Sequence, residues 1–223
     1  MNNSSIFTLD RKGKGFDIEE YPQGIYVDTS VWNKIYGSQN SSREKDLLTD
    51  FMAECLDHDV KFYVSGIVYE ELTHIIKEDI MRQEVTQSDN FKLPRYRDGK
   101  INLKARDEKI FEQNPDLVAT INSSVNEALS FVKDTAEFLP YEEDEATMQI
   151  MLDIIKNSRY SIDTRDAKHV IAAHTYDVNS ILTCDGDYVC FENLNVYVPP
   201  SEKFVKLKIG RANVLLPFDK EKY

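Results

Sequence analysis

Short apolar, β-branched runs alternate with helix-periodic segments along most of this chain, and that alternation constrains the fold more than any other feature. Gly24-Ile25-Tyr26-Val27-Asp28, Val60-Lys61-Phe62-Tyr63-Val64 and Ser180-Ile181-Leu182-Thr183-Cys184 read as strands. Phe138-Leu139-Pro140 reads as a very short one, and Asn195-Val196-Tyr197-Val198 as the last before Pro199-Pro200. Between them apolar residues recur at helical spacing. Leu47, Leu48, Phe51, Met52, Cys55 and Leu56 mark a helix over about 43–58, and Leu72, Ile75, Ile76 and Ile80 mark the next. Leu117 to Val132, Ala146 to Ile155 and Ala167 to Ala173 repeat the pattern. Strands separated by helices need crossover connections, so the fold class is α/β with a mainly parallel sheet covered on both faces.

The strands lead into carboxylates beside helix starts. Val27-Asp28-Thr29-Ser30 ends the first, and Ser65-Gly66 ends the second, with Glu70 and Glu71 in the first turns that follow. Asp163 or Thr164 is a natural N-cap that places Asp166 in the first turn of a small-residue helix, and Asp185-Gly186-Asp187 follows the Ser180 strand. One such acid is often only a cap. Right-handed crossovers, however, bring successive strand ends of a parallel sheet to one edge, where open α/β sheets hold ligands. Asp28, Glu71, Asp166 and Asp185 are therefore expected to converge. Converging carboxylates repel, and at neutral pH they require a shared cation or protons. An all-oxygen donor set suits Mg²⁺ or Mn²⁺ better than zinc. Two such ions about 3.5–4 Å apart clamp both the attacking and the leaving oxygen of an in-line displacement. The chemistry expected is metal-assisted phosphodiester hydrolysis.

Composition agrees with a globular protein: 223 residues fit one domain with room for an insertion, and 41% hydrophobic with 30% charged residues argue against disorder. No apolar run nears the roughly 20 residues of a membrane span. Met1 to Ser5 lacks the regions of a signal peptide, so a cytoplasmic setting is expected, with Cys55, Cys184 and Cys190 as reduced thiols. Neither these cysteines nor His58, His74, His169 and His174 have zinc-site spacing. His169 reads as a packed or surface histidine, and Trp32 as a core or interface residue rather than a base-stacking one. The net charge of −12 opposes non-specific nucleic-acid binding. It still permits a nucleic-acid enzyme whose acids gather at a metal and whose bases gather elsewhere.

Bases do gather. From about Gln87 to Asn114 periodicity fails, and Lys92, Arg95, Arg97, Lys100, Lys104, Arg106 and Lys109 outnumber Asp98, Asp107 and Glu108. The segment reads either as an anion-holding loop or as a solvated surface loop. Residues 1–23 read as a loosely attached arm, tacked down by Phe7 or Phe16. Residues 24–207 form the domain, with 80–115 as an extended basic insertion. Residues 208–223 form a tail, with an added strand near Asn213 to Leu216. Glu142 to Glu145 reads as an exposed first turn.

The strand-end motifs resemble those of the PIN-domain nucleases, especially the toxin ribonucleases of bacterial toxin–antitoxin pairs. Val27-Asp28-Thr29-Ser30 is similar to the family's opening strand and first acid, and Glu71-Leu72 to its second motif. Asp166-Ala167 with His169 and Ala172-Ala173 resembles the third, and Thr183-Asp185-Asp187-Tyr188 the fourth, usually Thr-x-Asp-x-Asp-Phe. The resemblance spans roughly Gly24 to Leu207 and is interrupted by the long 80–115 stretch. It implies a three-layer α/β/α fold and an Mg²⁺- or Mn²⁺-dependent endoribonuclease. It makes Asp28, Glu71, Asp166 and Asp185 the metal ligands, with Asp187 in support. Thr29 or Ser30 would orient a ligand or touch phosphate, and Thr183 would bond a carboxylate. Arg95, Arg97, Lys100 and Lys104 are the candidate RNA-backbone contacts. The implied partners are an RNA substrate, an antitoxin protein and a second copy of the chain. Two alternatives stand beside this reading: a PIN-like binding module with little activity, and a DNA-directed nuclease.

Overall fold

A computed structural model describes residues 6–200 except 10, 13–14, 17, 38–41, 88–93, 99, 101, 158–161 and 192–193. Lys92, the expected strand near 213–216 and the tail lie outside the described residues. In chain order the elements are β1 (Ile6–Thr8), β2 (Arg11–Lys12), β3 (Gly15–Phe16), β4 (Gly24–Val27), α1 (Thr29–Tyr36), α2 (Ser42–Asp57) and β5 (Lys61–Ser65). There follow α3 (Gly66–Gln87), α4 (Leu103–Gln113), α5 (Leu117–Thr135), β6 (Glu137–Leu139), α6 (Glu145–Asn157), α7 (Thr164–Thr175), β7 (Ser180–Leu182) and β8 (Asn195–Val198). A short 3₁₀ turn covers Asp187–Cys190.

Six strands pair in the order β1-β8-β7-β4-β5-β6, and every pairing is parallel. From β4 the chain steps outward through β5 to β6, with α1 to α5 as the crossovers; it then returns through α6 and α7 to β7 on the other side of β4. Right-handed crossovers put those two helix groups on opposite faces, giving three layers. The central strands are buried on both sides, which is why they read as unbroken apolar runs: Ile25, Tyr26, Val27, Ile181 and Leu182 are all fully enclosed. Each such side chain stabilises the fold by about 1.5–3 kcal/mol. The strand opens on glycine for steric reasons, since a Cβ at Gly24 would stand 2.5 Å from Tyr63 Cε2. Trp32 lies wholly inside the core, its Nε1 donating to the Val27 carbonyl at 3.3 Å.

Two parts differ from the sequence expectation. The N-terminal stretch is not a loose arm, because β1 is the sheet's edge strand on β8. Leu9 extends that pairing with a bond from its N–H to the Val198 carbonyl at 2.8 Å. Phe7 stacks on Tyr197 and Phe16 meets Phe51 edge-on. The basic segment is also not irregular throughout, since residues 103–113 form α4, capped by the Asn102 side chain on Ala105 N–H. Its inward positions are Ile110, in a small cluster with Met81, Leu117 and Ile121, and Arg106. The guanidinium of Arg106 is paired to both oxygens of Glu78 at 3.1 and 2.9 Å and to Asp107 at 2.7 Å. An arginine at a core-facing position hides the helical period.

Candidate active site

β4 and β7 are neighbours whose connections leave in opposite directions, so the sheet's topological switch point lies between their carboxyl ends. A pocket of about 560 Å³ opens there. Asp28 after β4, Glu71 on α3, Asp166 on α7, and Asp185 and Asp187 after β7 all line it. So do Thr29, Ser30, Asn33, Glu70, His74, Asp163, Arg165 and His169. Thr183 stands just beneath, fully buried at the end of β7. Helix α3 starts directly from β5 and also reaches α7 across this edge, which brings Glu71 to the acids of the other strands.

Asp28 does two things, one with its backbone and one with its carboxylate. Its backbone N–H continues the ladder to the Leu182 carbonyl at 3.0 Å, and its side chain caps α1. Oδ2 accepts from the Ser30 N–H at 3.3 Å, from the Ser30 hydroxyl, and from Thr183 Oγ1 at 2.9 Å. Oδ1 accepts from the Tyr188 hydroxyl at 3.1 Å. The two strand ends are stitched further: Ser30 Oγ accepts from Cys184 N–H and Thr183 Oγ1 from Asp185 N–H, each at 2.9 Å.

Glu71 is held through Oε2, which accepts from Thr29 Oγ1 at 2.6 Å and from His169 Nε2 at 3.0 Å. Its other oxygen, Oε1, faces Arg165 Nε across 3.8 Å. Burial alone would raise the Glu71 carboxyl above its ordinary range. The hydrogen bonds and charges of His169, Thr29 and Arg165 outweigh it and bring the group below that range. His169 is 1% exposed. Burial would lower its proton affinity, but the Glu71 bond and the charges of Asp28, Glu71 and Asp166 raise it. Behind the ring, Nδ1 lies 2.8 Å from the Tyr26 hydroxyl, which lies 2.7 Å from Ser65 Oγ. Asp166 moves the other way from Glu71. Burial first, then the negative charges of Asp185, Asp28 and Asp187, push it up to about 7, against a smaller opposing pull from His169.

The acids that the sequence singles out line the pocket, and so does His169, which reads from the sequence as a packed or surface residue. The available signal was spacing: Asp166 and His169 stand three apart on one helix and so share a face. Arg165, two-thirds exposed at the rim, was missed because it reads as a surface residue; it is loosely paired to Asp163 at 3.6 Å. The basic candidates go elsewhere. Arg95, Arg97, Lys100 and Lys104 are exposed and none lines the pocket. Lys100 is 3.6 Å from Asp98, and Lys104 is 3.9 Å from Glu108. Burial foremost pushes the Cys55 and Cys184 thiols up to about 12, which leaves neither fit to act as a nucleophile at neutral pH.

The donors present, hard and anionic, suit a divalent cation of the Mg²⁺ or Mn²⁺ type in chemical kind, and part of the rise at Asp166, after burial, is the repulsion from its acidic neighbours that such a charge would relieve. Among the described residues, however, no three His, Cys, Asp or Glu side chains are gathered tightly enough to hold a metal ion. The acids share a pocket but, as placed, not a coordination sphere.

No protein-family model matches the chain, and no curated protein matches it. Among solved structures it is similar to VapBC2 from Rickettsia felis bound to a DNA fragment from its promoter. The identity is 10% and the TM-score 0.45, over 80% of this chain and 99% of that one.

Proposed function

We propose that this chain is an Mg²⁺- or Mn²⁺-dependent endoribonuclease of the PIN type, acting as the toxin of a toxin–antitoxin pair. The observation that carries the reading is the arrival, in one pocket at the sheet's switch point, of seven carboxylates from four separate parts of the chain, Asp28, Glu71, Asp166, Asp185 and Asp187 among them. The order of the four strand-end motifs supports it. Asp28, Glu71, Asp166 and Asp185 would hold the cation, with Asp187 beside them. When bound, such an ion polarises a phosphate and lowers the pKa of an attacking water.

The chain's own side chains do the rest. Thr183 and Ser30 keep Asp28 turned by donating to its Oδ2. Thr29 does the same for Glu71. Asp166, raised to about 7 by burial and its acidic neighbours, would give up its proton to a cation held there, so metal binding would be coupled to proton release. Arg165 stands at the rim as the guanidinium nearest to an incoming phosphate.

The test is cleavage of single-stranded RNA by the full chain with Mn²⁺. Asp28→Asn keeps the shape and most acceptor bonds but removes the charge, and should lower the rate by on the order of 10²-fold or more. Chelation should abolish cleavage in the wild type. Cleavage by Asp28→Asn at the wild-type rate would sink the reading. A parallel arm with single-stranded DNA decides the sugar preference. The absence of a tight metal cluster among the described residues favours, as a second reading, a binding module that uses this pocket without hydrolysis. Retention of RNA without cleavage at any Mn²⁺ concentration would select it. The toxin assignment has its own check, a neighbouring gene for a small DNA-binding protein whose product co-purifies with this chain.

A further inference from the structure

A second opening lies at the other edge of the sheet, where β4, β5, β7 and β8 begin, and it shares no residue with the candidate active site. It is a groove made of two adjoining cavities, of about 820 and 670 Å³, that have Tyr21, Pro22, Gln23 and Asn195 in common. Aromatic rings wall it. Tyr63 and Tyr176 line the larger cavity, Phe7 and Tyr197 the smaller, and Tyr21 both. Tyr21 is held in place, stacked on His58 at 4.2 Å and hydrogen-bonded through its hydroxyl to Glu54. Tyr176 is 42% exposed, a large ring offered to solvent.

The charge of this groove is one-sided. Asp59 and Asp177 line the larger cavity, and Glu19 and Glu20 the smaller. Against them the lining sets one lysine, Lys61, whose ammonium is 2.8 Å from Glu137. Two helix ends add to the negative side. α2 stops at Asp57 and α7 at Thr175, and the residues just beyond each line the larger cavity. Both helices close alike: Val60 N–H returns to the Cys55 carbonyl at 2.9 Å and Val178 N–H to the Ala173 carbonyl at 3.0 Å. Asp59 and Asp177 occupy the left-handed position of these closures, at φ 59° and 62°. Glycine is the usual residue there, so the backbone does not call for either carboxylate. The carboxyl end of a helix favours a cation nearby. We propose that this groove docks a basic segment of a partner protein, with one of its arginines entering the larger cavity. A guanidinium stacks on tyrosine faces and pairs in plane with carboxylates, which suits this lining better than the point charge of a lysine. RNA is the wrong partner for this edge, because its phosphates would meet the four carboxylates.

Titration of the isotope-labelled full chain with the peptide acetyl-Gly-Arg-Gly-Arg-Gly-amide, followed by NMR, tests this. The salt is held at about 0.15 M, where diffuse attraction to a chain of net charge −12 is largely screened. Amide shifts should gather at residues 19–24, 58–61 and 176–179, and the matching lysine peptide should bind about threefold more weakly. Asp59→Asn with Asp177→Asn removes two charges and keeps the turns, since asparagine also adopts the left-handed conformation. Arginine-peptide affinity should then fall about fivefold. Tyr176→Ala should lower it about threefold. Where the double variant does not fold, as judged by its melting curve, Glu19→Gln with Glu20→Gln takes its place and must weaken binding too. Unchanged affinity in a folded charge variant overturns the proposal. So do peptide shifts confined to the surroundings of Asp28, Asp166 and Asp185, which would mean that the other pocket draws the peptide. A short single-stranded RNA that shifts the groove amides at lower concentration than the peptide would overturn it in favour of a nucleic-acid surface.

Discussion

At Asp28 a helix cap and a pocket wall are the same side chain, and the hydroxyls that satisfy the cap also keep the carboxylate aimed. Asp166 shows the opposite balance, with burial and three like charges acting on it, so its proton leaves only near pH 7. The stability consequence has a definite sign. Between the ordinary aspartate range, near 4, and about 7 the folded chain holds a proton the unfolded chain has released, so metal-free stability falls as pH rises through that window. Glu71, with its lowered value, contributes stability above the ordinary carboxylate range that is lost as pH falls through its folded value. Asp166→Asn removes the first effect alone. In melts with chelator it should exceed wild type at pH 8 by about 2–4 °C, the shift expected from about 1 kcal/mol once solvent screening of the part-exposed carboxyl is allowed for. The two curves should meet near pH 4. The acids were legible in the sequence because each ends a strand or opens a helix. Tyr26, Tyr188 and His169 were not, because a buried polar aromatic in an apolar run looks like core until its partners are known.

Among the elements, α3 does most to connect the site with the rest of the molecule, running from Glu71 to the Arg106 cluster under α4. Arg106 is bidentate on Glu78, and Lys77 reaches Asp107 at 3.1 Å, so α3 and α4 are joined by charge as well as by Ile110 on Met81. Arg106→Ala leaves two carboxylates without their guanidinium and should cost about 2–3 kcal/mol. Hydrogen exchange should show the loss concentrated in residues 103–113. The other bases of this segment make a separate prediction. Changing Arg95, Arg97, Lys100 and Lys104 together to Ala should leave the melting temperature within about 2 °C, since exposed pairs contribute little. If RNA follows them, the log–log salt slope of binding to the inactive Asp28→Asn protein flattens by up to about 0.7 per lost contact. An unchanged slope returns the segment to ordinary surface and leaves Arg165 as the phosphate contact to examine. Helix α4 escaped the sequence reading for a physical reason: charge satisfied by charge can occupy a core-facing position, and a periodicity argument counts only apolar ones.

Over the whole molecule the sheet was legible where strands are covered on both faces and illegible at its edge. β1 has three residues and no period of its own; it exists because β8 is there to pair with it. Deleting residues 1–9 would uncover β8, Tyr197 and the site of Leu9, and should lower the melting temperature by about 10 °C. Light scattering should rise with concentration, because an unpaired edge invites another chain. The same pairing dictates a timetable for synthesis. Ile6 meets Val196, so β1 must wait for β8, and β4 waits for β7 before the pocket has its second wall. Contacts so distant along the chain close late and slowly. A ribosome-bound chain therefore carries Asp28 and Glu71 through the synthesis of more than ninety further residues before Asp166, Asp185 or Asp187 stands opposite them. On the proposed activity, the nascent enzyme is harmless to its own message until the far wall of the pocket has been made.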